Sequence, residues 1–101
     1  MPSLNAQQIS RRLKSVPAWS KHGRAIRRRF EFPTFPQGIE FVNRVARKAE
    51  KADHHPDIDI RWNKVTLTLS THSAGGLTGK DFSMARECDA VLARLPASPS
   101  R

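Results

Sequence analysis

Cysteine is nearly absent: Cys88 is the single one in 101 residues. It has no internal partner for a disulfide and is too few for a cysteine-based zinc site, so a reducing cytosol is the default compartment. Tyrosine is missing and only 7% of residues are aromatic, which leaves few platforms on which nucleic-acid bases stack. No apolar run approaches the roughly 18 residues of a membrane span, because charges interrupt every hydrophobic stretch. The start, MPSLNAQQIS, lacks the basic opening and apolar centre of a secretory signal. What remains is a cytoplasmic chain of one domain, expected to span 1–95, followed by a disordered polar tail at 96–101.

Acid is also missing from the first thirty residues. That segment holds eight basic residues (Arg11, Arg12, Lys14, Lys21, Arg24, Arg27, Arg28, Arg29) and no Asp or Glu. The formal net charge is +9 and the pI about 11.1, so nearly all the excess lies in the first third. Such a balance invites a polyanionic partner, but no nucleic-acid-binding motif accompanies it and direct nucleic-acid binding is not expected. An Arg-rich, acid-poor start also fits a mitochondrial presequence. Since almost nothing precedes the first helix, that reading is set aside. The remaining composition, 38% hydrophobic and 27% charged, is ordinary for a folded domain.

Periodicity divides the chain into seven elements. Leu4, Ile9 and Leu13 have helical spacing behind an Asn5 cap. Trp19 begins an extended stretch, and 25–32 alternates, with Ile26, Phe30 and Phe32 on one side. Arg28 breaks that alternation, as an edge or frayed strand would. Phe35, Ile39, Val42, Val45 and Ala49 make one helical stripe that ends near Ala52, before Pro56. Ile58, Ile60 and Trp62 share one face of a strand, and Asn63–Lys64 reads as the hairpin turn. Val65, Leu67, Leu69 and Thr71 then point inward. Thr78 and Asp81 form a capping box that opens the last helix. No internal repeat is present.

Four histidines stand out. His22 lies in a polar stretch and reads as a solvated loop residue. His54 and His55 sit where a helix meets a strand, and His72 ends a strand before the Gly75–Gly76 loop. Junctions of this kind are where sites are assembled on a rigid scaffold. Zinc is the sharp alternative, but adjacent histidines project apart and no HxH or HxxxH spacing supplies further ligands. Imidazole suits proton transfer near neutrality, because its ordinary pKa of about 6.5 serves both acid and base.

The order of these residues carries a resemblance. Glu50 precedes His54–His55–Pro56 by three residues, five more lead to Trp62, nine more to His72, and Gly76–Leu77–Thr78 and Asp81 follow. This spacing resembles the signature of the pterin-4a-carbinolamine dehydratase family. Trp19, the FEFPTF stretch, Phe41 and Asn63–Lys64–Val65 add to it, so the likeness covers about residues 4–93. The resemblance implies an α+β fold: a four-stranded antiparallel sheet with three helices packed on one face. It implies dehydration of 4a-hydroxytetrahydropterin to the quinonoid dihydropterin, downstream of an aromatic amino acid hydroxylase, with no metal or organic cofactor. Homodimers joined through their sheets, or homotetramers joined through helices, are implied as well.

By the same resemblance, His54 and His72 are the acid/base pair and His55 positions the pterin. Asp53 orients a histidine or binds the pterin edge, and Asp81 holds a site histidine. Pro56 and Trp62 contribute to the substrate wall. Simpler readings stand beside these. The capping box by itself explains Asp81, Pro56 stops a helix in any case, and Trp62 shares a face with Ile58 and Ile60 and so fits a core. Lys80 reads as a solvated helix residue. The competing function is a non-catalytic assembly or transcriptional coactivator protein on the same fold. Retention of three histidines speaks for a working site.

Overall fold

A computed structural model of the chain describes residues 2–95; the tail expected at 96–101 lies outside the described residues. Helix α1 (Ala6–Leu13) starts at Asn5, whose side chain accepts the Gln8 amide at 2.8 Å while the Gln8 side chain accepts the Asn5 amide at 2.9 Å. Strands β1 (Ser20–His22) and β2 (Ala25–Glu31) follow. Helix α2 (Phe35–Ala52) begins at a Thr34 cap with Pro36 in its first turn, where a missing N–H leaves no bond unmade. Strands β3 (Asp57–Arg61) and β4 (Lys64–Leu69), a 3-10 turn (His72–Ala74) and helix α3 (Gly79–Arg94) complete the order.

The sheet is antiparallel with strand order β1-β2-β4-β3. Side chains alternate across a strand, so Ile26 and Phe30 of β2 and Val65, Leu67 and Leu69 of β4 point to one face. They are buried there against Phe41 and Val45 of α2 and Phe82, Ala85 and Cys88 of α3. Each fully buried large side chain contributes roughly 1.5–3 kcal/mol relative to exposure. The opposite face carries Arg27, Arg29, Thr66 and Thr68. This is the α+β architecture expected from the pattern of elements.

Three local expectations are corrected. Strand β2 is interior, paired to β1 on one side and β4 on the other, and neither an edge nor frayed. Arg28 is accommodated on the helix-facing side because its Nη1 donates to Asp89 at 2.7 Å and its guanidinium lies 4.3 Å from the Phe30 ring centre. Trp19 Nε1 donates to the same Asp89 oxygen at 2.9 Å. The β3–β4 turn falls at Trp62–Asn63, one residue earlier than expected, because Arg61 pairs with Lys64. Asn63 is buried and fixes the turn to the end of β2: its Nδ2 donates to the Phe32 carbonyl at 2.7 Å, and its own carbonyl accepts the Phe32 amide. Lastly, Trp62 is not core. It sits in the left-handed region at φ 53° and is 68% exposed. Ile58 and Ile60, on the outermost strand, also remain open to solvent.

Candidate active site

The end of α2 sets the position of the first two histidines. Asp53 takes the left-handed conformation at φ 51°, a place glycine usually fills. The chain thereby folds back, and the His54 amide reaches the Ala49 carbonyl at 3.1 Å. Pro56 then starts the run into β3. Beyond the end of β4, Thr71 exchanges backbone bonds with Gly76 across a tight loop, and Gly75 closes the 3-10 turn at φ +72°. The register that pairs Asp57 with Thr68 aims the residues before Asp57 at the level of Ser70 and Thr71. Asp53, His54, His55 and His72 therefore gather at one end of the sheet.

Asp81 joins that end to α3. Its side chain has no solvent exposure. One carboxylate oxygen meets His54 Nε2 at 2.6 Å. The other accepts the Thr71 hydroxyl at 2.8 Å and the Thr78 amide at 2.9 Å. The Thr78 hydroxyl lies 2.9 Å from that of Thr71, which extends the chain of bonds into the helix cap. Capping and histidine holding are thus not alternatives: one carboxylate does both, one oxygen for each. A buried charge requires such pairing, and no buried side-chain polar atom among the described residues lacks a partner.

A carboxylate oxygen accepts, so in this contact His54 Nε2 is the donor and Nδ1 is the ring nitrogen that Asp81 does not engage. Nδ1 makes no hydrogen bond among the described residues. His54 lines a cavity of about 580 Å³ between the end of α2 and the start of α3, with Ala52 and Met84 as apolar lining and Lys51 and Lys80 among the charged residues. Lys80, read from sequence as a solvated helix residue, is exposed in the first turn of α3 and also lines this cavity. A proton can therefore be taken up and returned at a fixed point beside an open space large enough for a bicyclic ring.

The other predicted residues are placed differently. His55 Nε2 also meets a carboxylate at 2.6 Å, that of Glu50, but both side chains are solvated. His72 is exposed at the head of the 3-10 turn, and Asp53 is exposed at its backbone bend. Trp62 is not brought to the histidines: the length of β3 separates it from Pro56. Thr71 is the residue that sequence reasoning assigned only to the core. The available signal was a hydroxyl at the inward end of an apolar run, which must find an acceptor. Among the described residues no three His, Cys, Asp or Glu side chains are grouped as metal ligands, and no helix is long and apolar enough to cross a membrane.

The chain is similar to known proteins over nearly its whole length. The family model for pterin 4 alpha carbinolamine dehydratase matches residues 2–91. A protein of Roseiflexus castenholzii named "Putative pterin-4-alpha-carbinolamine dehydratase" is 55% identical over 89 residues, covering 88% of this chain and 96% of the relative. A protein of the same name from Mycolicibacterium smegmatis is 50% identical over 92 residues, covering 91% and 98%. The crystal structure of a transcriptional coactivator/pterin dehydratase from Brucella melitensis superimposes with a TM-score of 0.85 at 36% identity, over 88% of this chain and 97% of that one. A pterin dehydratase-like protein, identified as a RuBisCO assembly factor in the alpha-carboxysome, superimposes with a TM-score of 0.64 at 25% identity, over 73% and 88%.

Proposed function

The chain belongs to the pterin-4a-carbinolamine dehydratase family, and on that premise we propose that it dehydrates 4a-hydroxytetrahydropterin to the quinonoid dihydropterin. The observation that carries the reading is His54, held through Nε2 by the buried Asp81 with its other nitrogen unbonded beside a cavity. In the reaction the C4a–O bond breaks as the adjacent ring nitrogen donates its lone pair. The leaving oxygen takes a proton and departs as water, and the nitrogen gives up its own proton. One acid and one base suffice, each contributing about 10²–10⁴ in rate.

His54 and His72 fill these two roles, His55 and Asp53 bind the pterin edge, and Pro56 forms part of the wall. Asp81 is a positioning residue that acts through His54. The substrate then comes from an aromatic amino acid hydroxylase that leaves its pterin hydroxylated, and the protein works in the cytoplasm as a homo-oligomer. The test is loss of 4a-hydroxytetrahydropterin followed by ultraviolet absorbance. The unmodified protein accelerates it and His54→Ala reduces the acceleration at least tenfold; no acceleration by the unmodified protein overturns the reading.

A second reading is favoured by the likeness to the RuBisCO assembly factor: an assembly role on the same fold, without turnover. It predicts an inactive protein that forms a stable complex with a client chain by light scattering.

A further inference from the structure

The cavity beside His54 carries more positive charge than the dehydration needs. Three lysines line it: Lys48 and Lys51 from the end of α2, and Lys80 from the first turn of α3. The acid in its wall is Glu87, and Lys48 Nζ already meets that carboxylate at 3.7 Å. Lys51 and Lys80 make no ion pair among the described residues. A pterin ring is neutral near neutral pH, and proton transfer at His54 gives two ammonium groups nothing to meet.

Local structure explains one of these lysines and not the other. A cation suits the end of α2, where the helix dipole is negative. Lys80 stands at the opposite, positive end of α3, where an acid is favoured. Breaches of a local rule of this kind gather at functional sites.

The connectivity of the substrate says what reaches them. Carbon C4a is bonded to N5, and N5 to C6, the ring carbon that carries a pterin's side chain. With C4a at His54, C6 enters the same cavity and its substituent runs along the remaining walls. The far edge of the ring is the one left to Asp53 and His55. A volume of about 580 Å³ is typical of sites that take ligands larger than one bicyclic ring.

We propose that the substrate is a reduced pterin whose C6 side chain ends in an anion, a carboxylate or a phosphate, held between Lys51 and Lys80. Ser83 lines the same wall. Its Oγ accepts from Arg86 Nη2 at 3.3 Å, which leaves the hydroxyl hydrogen to bond the anion. The proposal rests on the dehydratase reading and deepens it by naming the substrate class. Lys51 and Lys80 are binding residues here, with no part in proton transfer.

Both lysines are exposed, so each charge pair is worth a factor of roughly 1.5–5 in affinity and the two together about tenfold. Titration calorimetry tests this with three probes: neutral 6-hydroxymethyl-7,8-dihydropterin, 7,8-dihydrofolate with its carboxylates, and 7,8-dihydroneopterin monophosphate. The unmodified protein is expected to bind a charged probe about tenfold more tightly than the neutral one, and less so at high salt. The charged probe with the larger gain identifies the anion. In Lys51→Gln/Lys80→Gln, which removes charge and keeps length, the gain falls to about twofold or less; Lys51→Arg/Lys80→Arg restores it. Equal affinity for all three probes overturns the proposal and leaves the dehydratase reading standing, as does a gain that the glutamine variant keeps. A lysine-dependent gain in a protein that does not accelerate dehydration supports the anion site and counts against the dehydratase reading. Failure to bind any of the three overturns both.

Discussion

Two histidine–carboxylate pairs lie side by side in this molecule and have the same length. His54 meets Asp81 at 2.6 Å, and His55 meets Glu50 at 2.6 Å. Their surroundings differ completely. The first pair is 11% and 0% exposed, the second 52% and 79%. Asp81 is tied to three donors from three parts of the fold, whereas Glu50 holds one histidine five residues along its own chain. Water screens the outer pair and competes for both partners, so such a contact is worth about 0–1 kcal/mol. Asp81 has no water to fall back on, and removing a partner from it leaves a buried group unmet. Contact length therefore says little about energetic weight; burial and the number of shared partners decide it.

Breaking the inner pair at His54, the proposed acid/base group, has the largest expected effect. His54→Ala lowers kcat/KM by about 10²–10⁴, equal to roughly 3–5 kcal/mol in the barrier. His55→Ala acts mainly on KM, by less than about tenfold. Steady-state kinetics on both variants checks the contrast, and equal losses would erase it.

Asp81→Ala comes next, because it orphans His54, Thr71 and the Thr78 amide together. A stability loss of about 3–5 kcal/mol is expected by urea denaturation. Asp81→Asn keeps the shape without the charge, and separates folding from the holding of His54. If it restores stability but leaves kcat at least tenfold low, the positioning role stands.

Thr71→Val sharpens the comparison by removing one of Asp81's three bonds. It is expected to cost about 1–2 kcal/mol, with a smaller fall in kcat than Asp81→Asn.

Cys88 extends the same burial logic to pH. Burial and the neighbouring Asp89 and Glu87 push its thiol from an ordinary 9.0 up to about 12. Below pH 9 the folded and unfolded chains both hold that proton, so there is no effect. Between 9 and 12 the unfolded chain releases it and the folded chain does not, so stability falls as pH rises, by about 1 kcal/mol from pH 9 to 10. The fall is read as the difference in pH slope between the unmodified protein and Cys88→Ala.

The smallest effect belongs to the outer pair. Glu50→Gln changes stability by less than about 0.5 kcal/mol, and less still at high salt. A loss of 2 kcal/mol there would end the distinction drawn above.

Much of this was legible in the sequence because local rules dominate where one face is buried. The alternation of Val65, Leu67 and Leu69, the helical stripe at Val45 and Ala49, and the caps at Asn5 and Thr78 all required no knowledge of distant contacts. The same stripe, however, took in Phe35, which is exposed, and passed over Phe41, which is buried. Reading failed where a distant group reversed the local preference. Arg28 looked like a fault in a strand, since its partner Asp89 lies 61 residues away. The turn was misplaced by one residue because Asn63 is clamped by Phe32, 31 residues earlier. Trp62 looked like core because periodicity reports which side a residue faces and not whether anything covers that side.

The sequence by itself determined the elements and their faces, the surplus of positive charge, and the spacing of the three histidines that carries the family likeness. These depend on residue type and short-range geometry. Only the tertiary structure decided that Asp81 serves His54 as well as its own helix, that His55 is left in water, and that Trp62 stands apart from the site in a single copy. Those outcomes depend on which segments, tens of residues apart, exclude water from one another, and no local pattern encodes that exclusion.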